Sequence, residues 1–104
     1  MNGQQQTELF NSYLERMATM RGAKNKDYAN DVDSLANFRL VEGIGLPAWV
    51  GILVRLGDKY ARLAEQARKV VAGEELSMAV ASEGFDDTCL DLANYALLMG
   101  IAFE

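Results

Sequence analysis

Trp49-Val50-Gly51-Ile52-Leu53-Val54-Arg55-Leu56-Gly57-Asp58-Lys59-Tyr60-Ala61-Arg62-Leu63-Ala64-Glu65-Gln66-Ala67-Arg68-Lys69-Val70 is the stretch on which the fold turns. Within it Trp49, Ile52, Leu53, Leu56, Tyr60, Leu63, Ala67 and Val70 recur at three- and four-residue steps. That period lines one face of an α-helix. Pro47 precedes it, where a first helical turn tolerates a missing N–H, and Gly73 punctuates the end. The spacing therefore predicts a long amphipathic helix.

Outward from this helix, the chain repeats the same grammar. Toward the C-terminus, Glu74 to Ala81 reads as a connector, and Ser82 is placed to cap a last helix carrying Glu83, Asp86 and Asp87 in its first turn. Leu90, Ala93, Tyr95, Leu97, Leu98 and Ile101 make the rest of that helix apolar nearly all round, as befits a bundle interior or an interface. Toward the N-terminus, Gly43-Ile44-Gly45 breaks the chain, and Lys24 to Leu40 reads as a polar loop plus a short helix through Val32, Leu35 and Phe38. Before it, Leu9, Phe10, Tyr13, Leu14, Met17 and Met20 predict a first helix over about residues 6–21, stopped at Gly22. No two-residue alternation argues for a strand. The expected architecture is all-α: one domain over 1–104, a compact bundle of three main helices plus a short one.

Composition narrows the function. With 104 residues, half of them apolar, the chain is too hydrophobic for disorder and has room for one core. So short a chain gains stability by sharing helix faces, so a homo-oligomer is expected. Ten basic against fifteen acidic residues give a net charge of −5, which disfavours non-specific nucleic-acid binding. The absence of histidine removes the commonest zinc ligand and the usual general base, and the single Cys89 precludes an internal disulfide. No apolar run approaches the roughly 18 residues that span a bilayer, and the N-terminus lacks a secretory signal pattern, so the expected compartment is the cytoplasm.

Three charged clusters carry the candidate chemistry. Glu83, Asp87 and Asp91 step by four along the last helix, extended by Asn94 and Tyr95. Like charges so spaced repel, and a magnesium ion with hard oxygen ligands would relieve them; a solvated acidic turn suited to the helix dipole is the simpler alternative. On the long helix, Arg55, Asp58, Lys59 and Arg62 form a net positive stripe. If the two helices run antiparallel, Arg55, Lys59 and Arg62 pair with Asp87 and Asp91 as a structural network, or clamp a phosphate beside it. The third cluster, Lys24-Asn25-Lys26-Asp27-Tyr28 followed by Asn37-Phe38-Arg39, offers Lys24 and Lys26 to phosphate, Tyr28 or Phe38 to stack on a base and Asn37 to read a base edge. Ordinary solvation of a polar loop competes with that reading.

Taken in order, Lys24-Asn25-Lys26-Asp27-Tyr28, Asn37-Phe38, Val54-Arg55-Leu56-Gly57-Asp58-Lys59 with Arg62-Leu63, Glu83 and Asp87-Thr88-Cys89-Leu90-Asp91-Leu92-Ala93-Asn94-Tyr95-Ala96 resemble the nucleotide modification associated domain 1 family of phages and bacteria, over residues 17–101. The resemblance implies a small helical protein of nucleotide or DNA-base metabolism. More loosely, the layout is similar to the all-helical nucleotide pyrophosphohydrolases of the MazG kind, which bind magnesium through acidic pairs on two facing helices. Glu83-Gly84-Phe85-Asp86 imitates one such pair, whereas the long helix presents Arg55, Asp58, Lys59 and Arg62 where the other would stand. Three functions follow as expectations. In the first, a magnesium-dependent nucleoside phosphate hydrolase, Glu83, Asp87 and Asp91 hold the metal, Arg55, Lys59, Arg62, Lys24 and Lys26 the phosphates, and Asp27, Tyr28, Asn37, Phe38, Asn94 and Tyr95 the base or sugar. The second is a non-catalytic binder or sequestering protein for a nucleotide or cyclic nucleotide signal. The third is a structural or regulatory helical oligomer.

Overall fold

The computed structural model of the chain describes residues 1–28, 35–73 and 78–104, with the side chains of 22–28, 36 and 78–83 outside the description. Its elements are α1 (Gly3–Tyr28), a 3-10 helix (Ala36–Ile44), α2 (Ala48–Val71) and α3 (Met78–Phe103). Among the described residues there is no strand, and the fold is all-α. Two compact units divide the chain, Met1–Ala36 and Asn37–Glu104.

In the first unit, α1 starts earlier and ends later than its apolar stripe predicts. Its start is a reciprocal cap: the Gln5 backbone N–H donates to Asn2 Oδ1 at 2.9 Å, and the Asn2 backbone N–H donates to Gln5 Oε1 at 2.9 Å. Two orphan N–H groups are thereby satisfied, as in a capping box. The helix then runs through Gly22 to Tyr28. A glycine inside a helix costs only about 1 kcal/mol relative to alanine, and nothing that terminates a helix follows it before Tyr28. Lys24 to Tyr28 is therefore helix, not loop.

The second unit is built on an antiparallel pair, α2 against α3. A Cβ on Gly84 would meet the Gln66 side chain, and Lys59 pairs with Asp91, so a seven-residue step back along α2 matches a seven-residue step forward along α3. The next such step brings Ile52, fully buried, level with Leu98, also buried. At the far end Trp49 meets Phe103 edge-on, with centroids 5.8 Å apart. Pro47, extended at φ −68° and ψ 153°, fixes the start of α2, and Gly73 at φ +79° ends it, with Arg68 and Lys69 in the last turn suiting the dipole. The Ser82 expectation differs: α3 begins at Met78, so Ser82 lies inside the helix, and the first turn holds no acid. The acids stand too far along α3 to serve the dipole.

The 3-10 helix is tied to this pair at two points. Gly45, at φ +84°, closes its end, with the Leu46 N–H donating to the Val41 carbonyl and the Gly45 N–H to that of Glu42, the pairing of a Schellman motif. Phe38 meets Tyr95 edge-on at 6.0 Å. Gly51 lets the backbones approach, since a Cβ there would lie 3.1 Å from the Phe38 carbonyl oxygen and 3.4 Å from both Val41 methyls, whereas a Cβ on Gly57 meets nothing within 4 Å. Gly57→Ala should therefore stabilise by about 0.5–1 kcal/mol, the helix-propensity gain. Gly51→Ala, with the same gain offset by the carbonyl, should leave the melting temperature unchanged or lower. Thermal melts of the two variants followed by circular dichroism check this, and equal increases would contradict the close approach.

Candidate functional site

The candidate site follows the α2–α3 seam. Lys59 Nζ lies 3.4 Å from Asp91 Oδ2, with both side chains about three-quarters covered (26% and 27% exposed). The cationic and acidic stripes thus meet at Lys59–Asp91. At 100° per residue, Arg55 and Arg62 both fall roughly 40–60° to the same side of Lys59 and about 10 Å apart along the axis. Both are exposed, and among the described residues neither has an ion-pair or hydrogen-bond partner. Arg68 differs: its guanidinium donates to Glu65, Nε to Oε2 at 3.1 Å, holding that carboxyl below its usual range. Arg55 and Arg62 therefore keep their donor forks open to solvent.

On α3 the acids divide. Asp91 is engaged by Lys59, Asp87 is exposed, and Asp86 is half-buried beside Cys89. The Glu83 side chain lies outside the described residues. Among the described residues no three Asp, Glu or Cys side chains group to hold a metal ion. Asn94 and Tyr95 are half-buried, and Tyr95 supports Phe38, which with exposed Asn37 sits on the 3-10 helix. Lys24, Lys26, Asp27 and Tyr28 belong to the other unit, and their side chains lie outside the described residues.

No family model, curated protein or solved structure matches this chain. What the site offers chemically rests on its own residues.

Two polar groups of the seam were not among the expected ones. Thr88 is buried and its hydroxyl donates to the Gly84 carbonyl at 2.6 Å, which satisfies it within α3. Gln66 Oε1 is buried without a hydrogen-bond partner among the described residues. Such an acceptor costs about 1–3 kcal/mol unless a donor reaches it. Its signal in the sequence is the two-turn step that separates it from Lys59.

Cys89 is a poor nucleophile here. Burial pushes its thiol above the ordinary value, and the Asp86 carboxylate adds to the effect. The folded chain holds that proton more tightly than the unfolded one, so this contribution to stability is complete below the unfolded thiol's pKa and is lost as pH rises through the folded value. Alkylation of the native protein should show a pH midpoint alkaline to that of the urea-unfolded chain. A midpoint at or below the unfolded one would contradict this environment.

Proposed function

We propose that this chain binds a nucleotide through its phosphates on the α2 side of the seam, as a non-catalytic binder in phage or bacterial nucleotide or DNA-modification metabolism. The observation that supports the reading most is the pair of exposed guanidinium groups, Arg55 and Arg62, which have no partner among the described residues and flank the half-buried Lys59–Asp91 pair. Arginine forks suit phosphate oxygens bidentately, and the roughly 10 Å between the two along the helix suits a di- or triphosphate better than a single phosphate. Lys59 is held at the seam by Asp91, whose carboxylate offsets its charge, so the two arginines carry the reading.

The test is a thermal-shift panel of nucleoside mono-, di- and triphosphates and cyclic nucleotides, with and without magnesium. A ligand at about 100 times its Kd adds about 2.7 kcal/mol to native stability, a shift easily seen. The expected result is a shift that grows with phosphate number and shrinks with added salt. A flat response across the panel would overturn the reading. Recovery of the ligand intact keeps the protein a binder, whereas magnesium-dependent release of phosphate or pyrophosphate would make it a hydrolase acting through Glu83, Asp87 and Asp91.

A further inference from the structure

Arg55, Asp58 and Arg62 follow one another on α2, three and then four residues apart. At 1.5 Å and 100° per residue, Asp58 stands about 4.5 Å along the axis from Arg55 and about 6 Å from Arg62, and about 40–60° further round from the seam than either. These spacings are set within one continuous helix. A phosphate chain laid across the two arginines therefore passes a carboxylate midway. That carboxylate is uncommitted: Asp58 is exposed, and among the described residues it has no ion-pair or hydrogen-bond partner. Glu65, seven residues further along the same side of the helix, is by contrast taken by Arg68.

A carboxylate inside an anion site opposes its ligand, since like charges set side by side change affinity by about tenfold or more. A hard divalent cation reverses the sign. Magnesium is held by one or two carboxylates, with phosphate oxygens and water completing its octahedron. Among the described residues no three Asp, Glu or Cys side chains group to hold an ion without help, whereas one carboxylate beside two phosphate-binding guanidinium groups matches that division of ligands. We infer that the ligand of this site is the magnesium complex of a nucleoside di- or triphosphate, with the Asp58 carboxylate facing the ion. The inference rests on the reading of Arg55 and Arg62 as phosphate ligands and adds the form in which the phosphates arrive. It puts the ion on the outer side of the arginines, away from the seam where Lys59 holds Asp91.

Isothermal titration of the full chain with the ribo- and deoxyribonucleoside triphosphates and with inorganic triphosphate, in excess magnesium and in excess chelator, tests the inference alongside Asp58→Asn and Glu65→Gln. The expected result is a wild-type affinity at least about tenfold higher with magnesium than with chelator, and no measurable binding of magnesium alone. Asp58→Asn should lose or invert that preference, because the bare phosphate chain then offers the arginines more negative charge with nothing to oppose it. Glu65→Gln, which removes the same charge from the same helix, should keep it. No binding by any of the three proteins under either condition overturns the phosphate reading and this inference with it. The inference alone is overturned, and the phosphate reading stands, if the wild type binds bare and magnesium-complexed phosphates equally or binds magnesium as tightly without them. The same holds if Asp58→Asn keeps the wild-type preference or binds neither form, or if Glu65→Gln loses it.

Discussion

Ile52→Ala should lower the stability of the protein by about 2–5 kcal/mol, the range for emptying a fully buried aliphatic site. Ile52 is the one large side chain with no exposed surface among the described residues, and the buried apolar set around the helix pair is short: Ile52, Leu90 and Leu98. With so few members, no neighbour stands ready to collapse into the space that three lost carbons would leave. A chain of this size has about 5–15 kcal/mol of stability in total, so one substitution removes a large fraction of it. At about 4–8 °C per kcal/mol for a small domain, the melting temperature should fall by at least about 8 °C. Ile52→Val, which deletes one methyl, should cost about 0.5–1.5 kcal/mol. Val54→Ala, only two residues away but mostly exposed, should stay within about 0.5 kcal/mol. Equal melting temperatures for Ile52→Ala and Val54→Ala would mean that the seam does not run where Lys59–Asp91 and Gln66–Gly84 place it.

Whatever depended on local chemistry was legible in the sequence. Pro47 and Gly73 bound α2 because each acts on its own backbone, one lacking a donor and the other adopting positive φ. The apolar period of α2 and the all-round apolar character of α3 likewise followed from spacing alone. Where local preference is weak the reading drifted. Gly22 did not stop α1, since its penalty is small against a helix already nucleated by the Asn2–Gln5 cap, whose Asn-x-x-Gln pattern was visible but hidden in a glutamine run. Ser82 did not begin α3, because the residue type permits capping without enforcing it. The two charged stripes were legible as stripes, but which cation meets which acid depends on helix register, and register comes from packing. Lys59, not Arg55 or Arg62, takes Asp91 because its direction from the α2 axis lies nearest that of Ile52, the centre of the seam.

Removing both guanidinium groups, in Arg55→Ala/Arg62→Ala, should weaken nucleotide binding by two orders of magnitude or more while leaving the melting temperature of the free protein almost unchanged. A hydrogen bond to a charged group is worth about 1.5–3 kcal/mol, so each arginine that engages a phosphate contributes about 10- to 150-fold in affinity. Both side chains are exposed and neither has a partner among the described residues, so truncation should cost the fold no more than about 0.5 kcal/mol. Lys59→Met separates the two roles from the other side. It strips Asp91 of its partner at a site about three-quarters covered, so it should lower the melting temperature as well as the affinity. Arg→Lys at both positions should recover part of the binding, since the charge returns but the bidentate fork does not. The wild-type affinity should also fall with ionic strength more steeply than that of the double alanine variant, because these exposed charges are the ones salt screens. Isothermal titration of the four proteins with the best ligand of the panel, at two salt concentrations, measures all of this. A double alanine variant that binds as tightly as the parent would remove the phosphates from the Arg55–Arg62 stripe.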